Sequence, residues 1–316
     1  MTSMAPIQKI LVIGAGELGT QVLLSLAQHP QLPKDTTISV LLRPSAISSP
    51  SPQKVEELQI LRAHNVTLVA ADITTDTTET LAAVFQNHDT IISCTGFAAG
   101  PGTQLKLTEA VLAAGVTRYI PWQFGVDYEV IGRGSAQDLF DEQLDVRNVL
   151  RAQHTTKWAI ISTGMFTSFL FEPSFGVVDF ENRVVTALGG VENEVTLTGP
   201  VDIGKITAEL VLGDHGEDGF ENRPVYVAGD TVSYGRVAEL LEAVTGQRFE
   251  RKVRTVQAAK ADLASEPQNA LYKYQVVFGE GRGVSWAVEE TWNHKLGIRA
   301  HTAEQWAKEN LASSTV

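Results

Sequence analysis

The chain has 316 residues, 43% hydrophobic and 20% charged, enough apolar material for one large core or two smaller ones, which excludes disorder as a description of the whole. Its formal net charge is −12, negative in both halves, so nucleic acid and anionic membrane surfaces are repelled at long range. A single cysteine, Cys94, excludes an intramolecular disulfide and a cysteine-built metal cluster, and it fits a reducing compartment.

Met1 to Gln8 lacks the basic start and apolar stretch of a signal peptide, and no segment approaches the roughly 20 apolar residues that span a bilayer. The expectation is a soluble, cytoplasmic protein. From Lys9 onward, short apolar runs alternate with amphipathic stretches, the rhythm of a parallel sheet covered by helices. Strands are expected at Ile10–Ile13, Ile38–Leu42, Val66–Val69, Thr90–Ser93, Arg118–Pro121 and Trp158–Ser162. Helices are expected between them at Leu18–Gln28, Gln53–Ala63, Thr77–Phe85, Thr103–Ala114 and Ala136–Ala152, with a short Ser/Pro loop at Ser48–Pro52.

After Gly164 the rhythm breaks. Phe166, Phe169, Phe171 and Phe175 crowd one segment, and Val184–Thr198 reads as short β pieces around a Gly-Gly pair. Asp202 sits where an N-cap would precede a helix over Ile203–Leu212, Pro224–Val227 reads as a strand, and Ser233 caps a helix running to Val244. A strand at Phe249–Val253 and helices from Val256 and Ala303 complete the chain. The basic residues of Arg248–Arg254 alternate with others, so they read as the exposed face of that strand.

Gly14-Ala15-Gly16-Glu17-Leu18-Gly19 comes directly after the first strand and opens the first helix. In that context Gly14 permits the tight turn, Gly16 lets the backbone approach a pyrophosphate, and Gly19 lets helix and sheet pack closely, while the helix N-terminus favours the anion. At the end of the second strand, Leu41-Leu42-Arg43-Pro44 offers an arginine with no adjacent carboxylate. That choice suits a ribose 2′-phosphate, hence NADP(H) over NAD(H). Asp72, after the third strand, is placed either to bond an adenine amino group or to cap a helix. Histidine spacing matches no metal motif, Gly-x-Ser-x-Gly is absent, and no tyrosine has a lysine four residues later; no metal is expected. Cys94 reads as a small buried residue.

These motifs, with Ala71-Asp72-Ile73, Asp89–Ser93, Pro121-Trp122-Gln123-Phe124-Gly125, Phe140–Arg147 and Thr163-Gly164-Met165-Phe166, resemble an atypical short-chain dehydrogenase/reductase family. It contains the NmrA-like proteins and the isoflavone, pinoresinol-lariciresinol and phenylcoumaran reductases, and Pro121–Tyr128 is most similar to fungal members. The resemblance implies an α/β fold: a doubly wound Rossmann domain binding NADPH over residues 1–164, with later contributions from about 201–228. A smaller α+β, predominantly substrate-binding region would occupy residues 165–316. Implied cofactor contacts are Gly14, Gly16, Glu17, Leu18, Gly19, Arg43, Asp72, Gly96 and Phe166. Implied substrate contacts are Trp122, Phe124 and Phe169.

The family's catalytic lysine falls at Gln143, which can neither carry that charge nor titrate. Two readings lead, ahead of non-redox chemistry in the cleft such as isomerisation or dehydration. One is an NADPH-dependent reductase of a small aromatic or conjugated carbonyl-type metabolite, with Gln143 and Tyr128 as candidate catalytic groups. The other is an NADP-binding, redox-sensing regulator acting through a protein partner. At the residue level, Gln143 equally suits the outer face of a helix with Asp141, Glu142 and Asp145, and Tyr128 a solvated loop. A homodimer is compatible with either reading.

Overall fold

The structure is a computed structural model describing residues 9–48, 51–214 and 220–311. The expectations for Met1–Gln8 and for positions 49–50 of the Ser/Pro loop lie outside the described residues. Tertiary contacts divide the chain into two compact units: Met1–Gln123, Asp145–Ile160 and Ile203–Pro224 in the first, and Phe124–Leu144, Ile161–Asp202 and Val225–Val316 in the second.

The first half of the chain alternates strand and helix: β1 (Lys9–Ile13), α1 (Glu17–Ala27), β2 (Thr37–Leu42), α2 (Pro44–Ser48), α3 (Pro52–Ala63), β3 (Thr67–Ala70), α4 (Thr78–Phe85), β4 (Thr90–Ser93), α5 (Thr103–Ala113) and β5 (Arg118–Ile120). It continues with α6 (Tyr128–Ile131), α7 (Leu139–Arg151), β6 (Lys157–Ser162), β7 (Met165–Phe166), α8 (Thr167–Leu170), β8 (Val178–Asp179), β9 (Val184–Leu188), β10 (Glu194–Thr198) and α9 (Pro200–Leu212). The last third holds β11 (Arg223–Tyr226), β12 (Asp230–Ser233), α10 (Tyr234–Thr245), β13 (Glu250–Arg254), α11 (Val256–Ser265), α12 (Ala270–Glu280), α13 (Trp292–Lys295) and α14 (Ala303–Leu311).

Seven strands form one sheet in the order β11-β6-β5-β4-β1-β2-β3, and the pairings from β6 through β3 are parallel. Helices cover both faces, which is why Ile10 to Ile13 are all fully buried and the strands read as continuous apolar runs. The order reverses at β1. From β1 the chain moves outward to β2 and β3, then returns to place β4 on the other side of β1, leaving a crevice at the carboxyl ends of β1 and β4.

Helix α1 lays Leu18, Val22, Leu23 and Leu26 into the core, a one-sided stripe in which each buried side chain contributes about 1.5–3 kcal/mol. Ser51 caps α3 by accepting a hydrogen bond from the Lys54 backbone N–H at 3.3 Å, with Pro52 in the first turn. This cap fixes where Lys54 enters the helix.

In the second unit, β12-β10-β7 and β13-β9-β8 form two three-stranded sheets. Gly164 is at φ +70°, and a Cβ there would collide with the Thr196 carbonyl oxygen, so the turn after β6 and strand β10 approach as only glycine allows. Ser233 caps α10 and Gly246 ends it at φ +67°. Strand β13 is charged and largely exposed.

Two local expectations are corrected. Helix α7 starts at Leu139 rather than Ala136, because the Gln137 carbonyl oxygen accepts from Phe140 N–H (3.1 Å) and Ser135 Oγ (3.2 Å) in a turn ahead of the helix. Asp202 is not the N-cap of α9 but lies inside its first turn, where it accepts from the backbone N–H of His301 at 2.9 Å. Helix α12 carries no strong amphipathic signal in the sequence and adds to the expected elements.

In the first unit, a Cβ on Gly204 of α9 would lie 2.6 Å from the backbone carbon and oxygen of Gln21 in α1. Gly204→Ala gains about 1 kcal/mol of helix propensity but overpacks against rigid backbone, costing about 1–3 kcal/mol. We expect a lower midpoint in urea denaturation; a raised midpoint would show that the two helices separate freely.

Candidate functional site

The crevice at the end of β1 opens into a cavity of about 300 Å³ lined by Ile13, Gly14, Ala15 and Gly16 from the first turn and by Thr95 and Ala99 beyond β4. Each glycine of the turn meets a different constraint. Gly14 is at φ +92°, and a Cβ there would strike Thr95 Oγ1. A Cβ on Gly19 would run into the Gly14 carbonyl, so α1 packs on the turn only without it. Gly16 has open space where its Cβ would stand, leaving backbone exposed to whatever enters the cavity. The first turn of α1 adds unpaired N–H groups and the positive end of the helix dipole. Leu18 is buried and Glu17 exposed; neither side chain lines the cavity, nor does Gly19.

The opposite wall comes from the end of β2 and the start of α2, with Leu41, Leu42, Arg43 and Ala46, joined by Lys54 of α3. Arg43 is exposed. Lys54 Nζ donates to the Ala15 carbonyl oxygen at 2.8 Å and pairs with Glu57 at 2.7 Å, which ties α3 to the glycine turn. Arginine and lysine thus face one cavity in a chain whose overall charge is strongly negative. Ala71, Ile73 and Thr74 complete the lining on the β3 side. Asp72 does not line it. Its Oδ1 accepts from the Thr74 N–H at 2.9 Å, and that backbone hydrogen bond, with lesser help from Arg43, holds the carboxyl below its ordinary pKa. Asp72 thus closes a local turn and is not the helix cap, since the N-cap of α4 is Thr77.

Beyond β4, Gln104 Nε2 donates to the Thr95 carbonyl oxygen at 3.0 Å. Trp122 packs edge-on against Phe97 with ring centroids 4.6 Å apart, and a Cβ on Gly96 would come within 2.6 Å of the Trp122 ring. Gly96 and Trp122 are therefore neighbours in the first unit. Gln123 Oε1 accepts from Nε of the fully buried Arg147 at 2.8 Å. Cys94 is buried, and desolvation pushes its thiol pKa far up, which removes it as a nucleophile.

The remaining predicted residues belong to the second unit. Gln143 is fully buried on α7, so placement on the outer face of the helix is excluded. Tyr128 is 2% exposed rather than solvated; its ring meets Phe140 edge-on with centroids 4.9 Å apart, and its hydroxyl lies where a Cβ on Gly125 would be. Asp127 orients this segment by accepting from the Glu129 and Val130 N–H groups and from the Tyr226 hydroxyl at 2.6 Å. Phe124 is buried. Phe169 is half-buried between Phe175 (4.6 Å) and Tyr274 (6.0 Å), and Phe140 also touches Tyr274, whose hydroxyl pKa burial pushes up to about 12. Phe166, at the end of β7, is half-buried.

The model of the NmrA-like family matches residues 6–304. The chain belongs to the NmrA-like family. It is 45% identical over 301 residues to an NmrA-like family domain-containing oxidoreductase of Gibberella moniliformis, covering 95% of this chain and 97% of that one. Among solved structures it is similar to an isoflavone reductase, with a TM-score of 0.77 at 18% identity over 96% of this chain and 99% of that one. It is likewise similar to the binary complex of leucoanthocyanidin reductase with NADPH from Vitis vinifera, with a TM-score of 0.77 at 19% identity over 95% and 98%. At those identities the structural likeness establishes the Rossmann-type α/β fold.

Lys54 escapes a reading of the sequence because it stands eleven residues beyond Arg43, past a loop, and only the start of α3 turns it toward the glycine turn. The Ser51-Pro52 cap is the available signal. One consequence of the burial around β4 is directly measurable: in the native protein Cys94 should resist alkylation by iodoacetamide at pH 8 and react fully only after denaturation. Rapid labelling of the folded chain would contradict the packing described.

Proposed function

We propose that this chain is an oxidoreductase that uses NADPH to reduce a small aromatic or conjugated carbonyl-type metabolite. The observation that carries the reading is the convergence of Arg43 and Lys54 on the cavity floored by the side-chain-free backbone of Gly16. Exposed amides at a helix N-terminus suit a pyrophosphate, and two cations at the far wall suit a ribose phosphate. The residues present fit the cofactor. The oxidoreductase name of the 45% identical relative and the NADPH held by the leucoanthocyanidin reductase structure support the same reading.

Bound NADPH supplies the hydride. The chain's own residues bind and orient. In the proposed division of labour, residues 1–164, with the return at about 201–228, hold the cofactor, and residues 165–316 supply most of the substrate contacts. Gly14, Gly16 and the first turn of α1 from Glu17 to Gly19 position the diphosphate, Arg43 and Lys54 hold the 2′-phosphate, and Asp72 shapes the loop beside them. Gly96 and Phe166 are further cofactor contacts; Trp122, Phe124 and Phe169 are substrate contacts. Gln143 donates an amide N–H to the substrate oxygen, and Tyr128 orients it by its hydroxyl. A glutamine cannot deliver a proton by titrating, so its contribution is hydrogen bonding inside a dry site, where such bonds are stronger than in water.

Fluorescence titration of the full chain should show NADPH binding more tightly than NADH. Arg43→Ala and Lys54→Ala should each weaken NADPH about tenfold and NADH far less, as loss of a charge-assisted contact implies. Equal loss for both cofactors would remove those residues from the phosphate role, and no binding at micromolar concentrations would overturn the proposal.

Gln143→Met keeps the side-chain length and removes the amide. It should lower NADPH consumption about tenfold across a panel of aromatic ketones and enones while leaving NADPH affinity unchanged. Unchanged turnover would eliminate Gln143. Tight NADPH binding with no panel member consumed would instead favour a regulator acting through a protein partner.

A further inference from the structure

The second unit contains another cavity, of about 520 Å³, lined by residues 228–229, 288, 293–294, 297–301 and 305. The chain around it is cross-linked by side-chain hydrogen bonds. Asn293 is buried and bridges the second unit's backbone: its Oδ1 accepts from Ala228 N–H at 3.0 Å, and its Nδ2 donates to the Ala228 carbonyl at 2.9 Å and to the Ile298 carbonyl at 3.3 Å. A Cβ on Gly229 would strike the His301 carbonyl, so this close approach needs glycine. His301 is anchored on the buried carboxylate of Asp202 through both its backbone N–H and its Nδ1, each at 2.9 Å, and its Nε2 lies 3.5 Å from Glu309.

The polar groups that face the cavity are one-sided. No carboxylate lines it, although the chain carries a net charge of −12. The acceptors of its amides are already committed: Asn293 Oδ1 to Ala228, and Gln305 Oε1 to the Thr302 N–H at 2.9 Å. What is left is the Gln305 amide nitrogen, the His294 ring and the Arg299 guanidinium, and Arg299 has no carboxylate partner among the described residues. The His301 ring already meets the carboxylates of Asp202 and Glu309, so Arg299 is the lining cation without a carboxylate partner among the described residues. Ala228, Val288, Ile298 and Ala300 supply apolar wall beside these donors.

We propose that this cavity is a second ligand site, distinct from the glycine-turn cavity, that takes a small organic monocarboxylate with a short apolar body. One guanidinium matches one carboxylate, whose two oxygens it can meet with parallel N–H groups. The apolar wall covers the hydrocarbon end. The site owes nothing to the cofactor assignment and stands or falls separately from it.

The test is ligand-observed NMR titration of the full chain with hexanoate, with hexylamine and inorganic phosphate as comparators. Hexanoate should bind saturably and more tightly than either. Arg299→Glu should weaken hexanoate at least about tenfold and leave NADPH affinity unaltered. His294→Glu, at a second exposed position on the rim, should weaken hexanoate in the same direction and serves if the first variant fails to fold. Absence of saturable hexanoate binding, equal or tighter binding of hexylamine or phosphate, or hexanoate affinity unchanged in the folded variants would overturn the proposal.

Discussion

Where β1 ends, the chain must turn into α1 while keeping the helix against the sheet, and backbone stands where side chains would otherwise be. Gly14 takes φ +92° against Thr95, and Gly19 presses on the Gly14 carbonyl. The first unit is built around this close approach. Because α1 begins so near the end of β1, the turn from Gly14 to Gly16 lines the crevice that the strand order opens between β1 and β4. Because Gly16 faces open space, the crevice remains accessible. Helix packing and the opening of the crevice are served by one three-glycine turn, and a larger side chain at Gly14 or Gly19 would disturb the packing.

Charge acts locally on a background of the opposite sign. A net charge of −12 opposes association with polyanions, yet Arg43 and Lys54 bring two cations to one cavity wall. Over a few ångströms, paired contacts outweigh the diffuse repulsion of distant carboxylates, which salt screens beyond about 10 Å. Arg299 repeats the pattern in the second unit. The unfavourable average and the favourable sites are compatible because their length scales differ.

The second unit buries polar side chains that the sequence suggests are in water. Gln143 is fully buried on a helix whose neighbouring residues, Asp141, Glu142 and Asp145, are acidic, and Tyr128 sits within an aromatic chain running through Phe140 and Tyr274 to Phe169. A buried amide is costly unless its hydrogen-bonding capacity is used, so such a residue reports a demand of its surroundings rather than tolerance at a surface.

Strands β1 to β6, helices α1, α3, α4, α5 and α7, the glycine turn and the place of Arg43 at the end of β2 are legible in the sequence because each is written locally, in apolar runs, caps and a motif of six residues, whereas the short helices α2 and α6 are not. The start of α7 and the role of Asp202 are not, because a turn at Gln137 and the distant His301 backbone claim groups that local rules assign to the helices. Lys54 cannot be placed from sequence, since its partner Ala15 is 39 residues away. Nor can the burial of Gln143 and Tyr128, whose flanking acidic residues suggest solvent. By itself the sequence determined the alternation of elements and the turn that can meet a phosphate, because backbone geometry and hydrophobic periodicity act between near neighbours. Only the tertiary structure decided which polar groups share a cavity and which lose contact with water, because those outcomes depend on segments meeting across long stretches of chain.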